Sequence, residues 1–237
     1  MTGATGNIYC GLHEFEDMGF LLHFLRPEDL FVDVGANVGS YTVLASGQVG
    51  CETIAFEPIP STFRKLDNNI KLNHIQDKVH THNAGVGSRK STLKFSTDFD
   101  TVNHVVTEGE QVSVTEVNVV PLDEILDNQV PILMKIDVEG FEKEVLDGAS
   151  TVLDKQSLKA IIIELNGSGK RYGFSDEDIH MSLVNQQFKA YKYNPYGRSL
   201  AELQTFGNAN TIYIRDLPFI TGRVNSAEKM LVAGVSF

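Results

Sequence analysis

Phe31-Val32-Asp33-Val34-Gly35-Ala36-Asn37-Val38-Gly39 joins an apolar run to a glycine-bracketed turn, with one acid between them. Leu30 to Val34 reads as a buried strand, because a parallel strand covered on both faces is nearly continuous in hydrophobic residues. Asp33 is carried to the strand's C-terminal edge. Gly35 has no Cβ, so a ligand can approach its backbone. Ser40 to Val49 reads as a helix whose free N–H groups can receive a polar ligand. The turn is not the G-x-G-x-x-G fingerprint of dinucleotide folds, because Asn37 stands where the second glycine would let a pyrophosphate close. A plain strand-to-helix turn would use the same residues.

Working outward, a second strand over Glu52–Phe56 ends at Glu57-Pro58. Ser61 caps a helix reaching about Leu72, and Val79–Asn83 forms a third strand. Successive strand–helix–strand units require a parallel sheet. The alternation then lapses. Thr92–Ser96, Val112–Val114 and Val117–Val120 read as short strands of an inserted ribbon over 91–120, followed by a short helix at Leu122–Leu126. It resumes with a strand at Ile132–Ile136, a helix at Phe141–Leu146 with Gly148 as C-cap, and a β-branched strand at Leu158–Leu165. After a helix from Ser175 to about Gln187, the strands Phe188–Tyr193 and Thr211–Arg215 are joined without a helix, which favours an antiparallel pair at the sheet's end. An amphipathic helix is expected over Gly11–Leu25, ended by Pro27. The reading is one α/β domain over 1–237, doubly wound and mostly parallel, with residues 1–29 as a helical lid.

With 237 residues, 42% of them hydrophobic, the chain can bury a core of ordinary domain size. The formal net charge of −11 disfavours a nucleic-acid partner, since acid repels a phosphate backbone. Cys10 and Cys51 are too few for a disulfide framework. No apolar run approaches the roughly 18 residues that span a bilayer, and no signal peptide opens the chain. The expectation is a cytoplasmic protein with reduced thiols.

The chemistry gathers at strand ends. Glu57 lies about 20 residues past the glycine turn, where an acid can accept from both ribose hydroxyls of a nucleoside. Asp137 and Glu139 leave the end of a central strand in Lys135-Ile136-Asp137-Val138-Glu139-Gly140-Phe141-Glu142. Two carboxylates there can stabilise a sulfonium, accept from an amine, take a proton or hold a divalent metal. No third ligand is evident near Asp137, so no metal site is expected. Glu164 and Asn166 end a strand on the same edge, and acceptor contact is a hypothesis for Glu164. S-adenosyl-L-methionine, which has no pyrophosphate, tolerates Asn37 in the turn.

Together these segments resemble the FkbM family of methyltransferases. The resemblance rests on Val32-Asp33-Val34-Gly35-Ala36-Asn37-Val38-Gly39, Ala55-Phe56-Glu57-Pro58, Asn68-Asn69-Ile70-Lys71-Leu72-Asn73, the stretch from Lys135 to Glu142, and Leu146-Asp147-Gly148-Ala149. It covers about Gly11 to Asn166. It implies a class I methyltransferase, Rossmann-like fold of seven strands with an antiparallel last strand. It also implies S-adenosyl-L-methionine as donor, and as acceptor a hydroxyl on a sugar, glycan, lipid or polyketide-like small molecule. By that resemblance Asp33, Gly35, Ala36, Asn37 and Gly39 cradle the methionine end, joined by Glu14 from the lid and by Asp137. Glu57, followed by Pro58, holds the ribose, and Asn83 is the adenine-side contact. The base for an alcohol is open among Glu139, Asp137 and His104. Two other readings stand beside this one: a non-catalytic binding protein that retains the cofactor fold, and a nicotinamide-dependent oxidoreductase. The glycine turn and the absence of Y-x-x-x-K spacing at Tyr191-Lys192-Tyr193 argue against the second.

Overall fold

The structure is a computed structural model that describes residues 11–98, 103–107, 109–207, 209–232 and 234–237. Cys10 and the start of the expected lid lie outside the described residues. The elements, in chain order, begin with α1 (Phe15–Phe24), β1 (Leu30–Val34), α2 (Ser40–Val43, continued by a π-helical turn Leu44–Val49), β2 (Glu52–Phe56), α3 (Pro60–Leu72) and β3 (Val79–His82). Then come β4 (Gly85–Val86), β5 (Ser91–Ser96), β6 (Val114–Val120), α4 (Leu122–Leu126), β7 (Leu133–Ile136), α5 (Glu142–Asp147), α6 (Ser150–Leu153) and β8 (Ala160–Glu164). A 3₁₀ segment (Ser168–Tyr172), α7 (Asp176–Asn185), β9 (Lys189–Asn194), β10 (Ser199–Glu202), β11 (Asn210–Ile214), α8 (Leu217–Ser226), β12 (Leu231–Val232) and β13 (Val235–Ser236) complete it.

The main sheet has eight strands in the order β10-β9-β11-β8-β7-β1-β2-β3. β3, β2, β1, β7 and β8 run parallel, and β11 is antiparallel to both β8 and β9. The fold class is therefore the expected doubly wound α/β sheet with an antiparallel final strand. Two details differ from the sequence expectation. β11 inserts between β8 and β9 instead of pairing at the edge, and the helix-free connection between the last two expected strands contains β10, an eighth strand hairpinned onto β9. Ser199–Glu202 is only four residues long and mostly exposed, which is why it does not read as a strand.

Alternation along the strands covers both faces. Val32, Val34, Ile54, Phe56, Met134 and Ile136 pack under α4 to α7, while Phe31, Leu133, Ala160 and Ile162 pack under α1, α2 and α8. Each fully buried side chain of this size contributes roughly 1.5–3 kcal/mol. α1 is not laid over a cleft as a lid. Met18 to Phe24 are all buried against the sheet and α8, and only the residues just before it reach the sheet's edge. The C-terminal stretch also belongs to this domain: Ile220 and Val224 of α8 and the terminal Phe237 join the same core.

The ribbon over 91–120 is a separate three-stranded sheet, β4-β6-β5, with β4 parallel to β6 and β5 antiparallel to it. The two short strands read at Val112–Val114 and Val117–Val120 meet in one, β6. Phe95, Val105, Val117 and Val119 form its own small core with Ile59. Gly148 holds this sheet close, because a Cβ there would lie 2.1 Å from the Gly87 carbonyl oxygen.

The tightest joint is at the end of β1. Gly35 has φ +82°, and a Cβ on it would sit 1.9 Å from the Asp137 carbonyl oxygen beyond β7. Gly35→Ala is therefore expected to cost about 3 kcal/mol, combining overpacking with a left-handed φ. That loss corresponds to a fall in melting temperature of about 6–12 °C for a domain of this size. A calorimetric melt unchanged from the parent would show that the two strand ends are not in contact.

Candidate active site

A cleft with two lobes opens at the C-terminal edge of the parallel strands, where ligands bind in such sheets. The first lobe is lined by Phe56, Glu57, Pro58, Ile59, Val86 and Phe95 among others. The second is lined by Glu14, Asp33, Tyr41, Lys135, Asp137 and Glu164 among others. Gly35, Asn37, Asp137 and Glu139 line both and form the junction. One lobe is largely apolar and the other is crowded with charge.

In the first lobe, Glu57 is almost wholly buried at 5% exposure. Its Oε2 accepts from the Asn37 amide at 3.0 Å and its Oε1 from the Ile59 amide at 2.8 Å. Each oxygen keeps a further acceptor site. Burial pushes its carboxyl up to about 7, against the pull of those two amides. Asn37 takes φ +52°, which aims its amide at Glu57. Backbone amides of Gly35 and Ala36 bond the Phe56 carbonyl at 3.0 and 2.9 Å, tying the glycine turn to the end of β2.

In the second lobe, Asp33 is 1% exposed. Its Oδ2 accepts from the Thr42 hydroxyl at 2.7 Å, while its Oδ1 has no hydrogen-bond partner among the described residues. Burial raises its pKa, opposed chiefly by the nearby Lys135 charge. Lys135 donates to Asp137 Oδ2 at 2.7 Å and lies 4.7 Å from the centre of the Tyr41 ring. Burial alone would lower its pKa, but the charges of Asp137, Asp33 and Glu14 prevail and raise it. Glu14 accepts from the Tyr41 hydroxyl.

At the junction, Asp137, Glu139 and Glu164 each offer one oxygen, and these three atoms lie within 4.8 Å of one another. An all-oxygen set of this kind suits a hard divalent cation. The third member, not found near Asp137 from the sequence, is Glu164, which ends β8 next to β7. Burial, then the Asp137 charge, raises the Glu139 carboxyl to about 7 and the Glu164 carboxyl to about 8. Glu139 holds φ +55°, a costly backbone for a side-chain-bearing residue. Buried Glu142 maintains it, its Oε1 accepting from Gly140 at 3.0 Å and Val138 at 3.3 Å. Gly140, at φ +105°, lets the turn touch the Ser168 carbonyl, which a Cβ would approach to 2.7 Å.

Of the residues singled out in the sequence, Glu14, Asp33, Gly35, Ala36, Asn37, Glu57, Pro58, Asp137 and Glu139 line the cleft. Three do not. Gly39 faces α3, where a Cβ would lie 2.6 Å from Leu66 Cδ1, so its role is helix packing. Asn83 turns its amide to the carbonyls of Glu57 and Pro58 at 2.9 and 3.0 Å, bracing that turn, and Ala84 to Val86 line the lobe in its place. His104 is paired through Nε2 with Glu110 at 3.0 Å within the inserted sheet, and its neighbour Asn103 reaches the cleft. Lys135, Tyr41 and Glu142 were not singled out. A lysine in the middle of an apolar strand was the signal available for the first.

A sequence model of the Methyltransferase FkbM domain matches residues 33–193. The chain belongs to the FkbM methyltransferase family. It is 30% identical over 152 residues to the hexuronic acid methyltransferase AglP of Haloferax volcanii, an alignment covering 62% of this chain and 59% of that protein. It is also 30% identical over 149 residues to Methyltransferase 1 of Beauveria bassiana, covering 52% of this chain and 59% of that one. The aligned stretch thus spans less than two thirds of either relative. Among solved structures it is similar to a precorrin-6y C5,15-methyltransferase from Geobacter metallireducens. There the TM-score is 0.50 at 14% identity, with 90% of this chain and 92% of that one covered, a likeness of fold alone. The family and fold imply a cofactor of the S-adenosylmethionine type. No helix among the described residues is long and apolar enough to cross a membrane.

The site's geometry depends on Glu142. Glu142→Ala would leave two amides at a buried turn without their acceptor, at a cost of about 1–3 kcal/mol, and would release Glu139 from its left-handed conformation. A lowered urea midpoint together with reduced turnover is the expected outcome. An unchanged midpoint would show that the turn holds itself.

Proposed function

We propose that the chain transfers a methyl group from S-adenosyl-L-methionine to a hydroxyl of a sugar-type acceptor. The observation that carries this is the paired cleft, an apolar lobe with a buried carboxylate joined to a charged lobe through the glycine turn. A nucleoside attached to an amino acid through a sulfonium has the same division. The fit is specific at two atoms. Glu57 retains acceptor capacity toward two ribose hydroxyls, and Asp33 Oδ1, which has no donor among the described residues, can take an ammonium. Ile59, Phe95 and Val86 offer the apolar surface for a purine. When bound, the cofactor supplies an electrophilic methyl group on a positively charged sulfur.

The residues' part is alignment and proton handling. Proximity and orientation contribute on the order of 7–11 kcal/mol in well-aligned displacements. Glu139, at the junction and with its carboxyl raised to about 7, is the proposed acceptor of the hydroxyl proton, a role typically contributing about 10²–10⁴-fold. Asp137, 2.7 Å from the Lys135 ammonium, is the neighbouring acid on the sulfonium's side of the junction. The sugar-type acceptor draws support from the resemblance to a hexuronic acid methyltransferase.

Two predictions test this. Ionised Glu57 can accept from both ribose hydroxyls, whereas the protonated carboxyl has fewer acceptor sites left beside its two amide partners. Burial raises its carboxyl to about 7, so S-adenosyl-L-homocysteine affinity should rise with pH through that region, by at most about tenfold per pH unit. Calorimetric titration from pH 5.5 to 8.5 measures this, and Glu57→Gln should bind weakly with no such slope. A flat profile in the parent protein would remove Glu57 from the ribose.

Glu139→Gln should lower single-turnover rate by about 10²-fold or more with little change in donor affinity. The three convergent carboxylates favour a second reading, in which a divalent cation orients the acceptor hydroxyl. Activity that survives chelation by EDTA supports proton transfer to Glu139, and activity lost to EDTA and restored by Mg²⁺ supports the cation.

A further inference from the structure

Beyond Glu164 the chain makes a short basic turn that the proposed chemistry does not use. The 3₁₀ segment Ser168–Tyr172 is bracketed by Gly167 at φ +84° and Gly173 at φ +80°. It is fastened firmly for a surface turn. Asp176 Oδ2 accepts from the Gly167 amide at 2.8 Å, and Asn166 Oδ1 from the Ser168 amide at 2.9 Å. The Tyr172 hydroxyl donates to the Val105 carbonyl at 2.7 Å, which ties the turn to the inserted sheet. Its other side rests on the turn that carries Glu139. A Cβ on Gly140 would meet the Ser168 carbonyl oxygen at 2.7 Å and the Gly169 amide nitrogen at 2.9 Å. The Tyr172 ring meets Phe141 edge-on at 5.4 Å between centres, and Phe141 lines the apolar lobe together with Glu139.

This turn brings Lys170 and Arg171, both exposed, to the rim of a cleft whose other charges are mostly acids. Three cations lie close enough to Glu139 to pull against the rise of its carboxyl: Arg171, His104 and Lys135. Lys135 donates to Asp137, and His104 pairs with Glu110. Arg171 is in no ion pair among the described residues. Its guanidinium carbon lies 5.9 Å from the centre of the Tyr172 ring. A guanidinium presents a planar fork of N–H groups that matches a carboxylate or a phosphate.

We propose that Arg171 selects the acceptor by binding an oxyanion, carboxylate or phosphate, carried by the sugar whose hydroxyl faces Glu139. This rests on the methyl-transfer reading of the cleft and adds the acceptor's charge to it. The sugar is held at two points, its hydroxyl at Glu139 and its anion at Arg171. The anion stays at the rim, outside the acids that line the charged lobe. A basic turn that served solubility alone would be indifferent to the acceptor's charge.

The test compares acceptors that differ in one group: p-nitrophenyl β-D-glucuronide, the neutral p-nitrophenyl β-D-glucoside, and that glucoside's 6-phosphate. The readout is S-adenosyl-L-homocysteine formed from S-adenosyl-L-methionine at fixed pH. In the unaltered protein kcat/KM for an anionic acceptor should exceed that for the glucoside by about tenfold, through KM. That is the lower end for a charge-assisted contact, because the rim is open to water. A lead for the glucuronide identifies a carboxylate, and a lead for the 6-phosphate identifies a phosphate. Arg171→Ala should abolish the preference and Arg171→Glu should reverse it, with folding checked by calorimetric titration of S-adenosyl-L-homocysteine.

Equal use of all the acceptors by the unaltered protein would overturn the assignment, and so would a preference that survives Arg171→Glu. Release of the transferred methyl group by mild alkali would overturn it too, since it marks an ester and puts the carboxylate at the sulfonium instead of at the arginine. An unaltered protein that binds S-adenosyl-L-homocysteine but methylates none of the acceptors refutes this inference and leaves the cofactor reading standing. Failure to bind S-adenosyl-L-homocysteine refutes the cofactor reading itself.

Discussion

The pairing of β1 with β7 is the constraint on which the site depends. It sets Asp33 beside Lys135 in register and brings the two strand ends so close that Gly35 rests on the Asp137 carbonyl. Because Gly35 has no Cβ, the turn can lie flat against its neighbour and leave the cleft open above. The Gly35 and Ala36 amides then tie the turn to the Phe56 carbonyl, and the amide of Asn37 reaches Glu57. Three strand ends become one surface through main-chain contacts. The side chains on that surface inherit their positions from β1, β2 and β7, not from flexible loops.

Much of this was legible in the chain itself, since the information is local. The apolar run ending in Asp33, the glycine turn after it, and an acid at the end of the next strand each follow from a few adjacent residues. What escaped was non-local or weakly patterned. Glu164 joins Asp137 and Glu139 only because β8 lies beside β7. β10 is only four residues long and α8 begins at Leu217-Pro218 without a clear apolar stripe, so neither announces itself. Asn83 and Gly39 were correctly placed along the chain but wrongly aimed. A strand end states where a residue sits, and the partner across from it decides where its side chain points. For Asn83 that partner is the pair of carbonyls at Glu57 and Pro58, and for Gly39 it is Leu66.

The helix before β1 illustrates the same limit. Acids mixed with apolar residues over Gly11–Leu25 suggest one wet and one dry face. In the structure His23 is buried as fully as its apolar neighbours, and its Nδ1 meets the Tyr193 hydroxyl at 2.7 Å. Burial lowers the pKa of that ring to about 4, so it packs as a neutral imidazole. A residue type that signals a surface in the sequence therefore belongs to the core. The helix is thereby fixed at the sheet, and Glu14, immediately before it, is held at the cleft by the Tyr41 hydroxyl.

The same physics explains why the acids of the cleft are compatible with a stable fold. Glu57, Glu139 and Glu164 all titrate well above the ordinary carboxylate range because burial penalises their charge. Near neutral pH each can hold its proton and lower the repulsion among them, and each becomes ionised readily when a cation or a set of hydroxyl donors arrives. Asp137 differs in that it has a resident counter-ion in Lys135. The cleft thus places the Lys135–Asp137 pair at its centre, with acids around it whose carboxyls burial pushes upward. An arrangement of this kind favours a ligand bearing positive charge next to hydroxyl groups. It also places the raised carboxyl of Glu139 where the proposed acceptor would lose its proton.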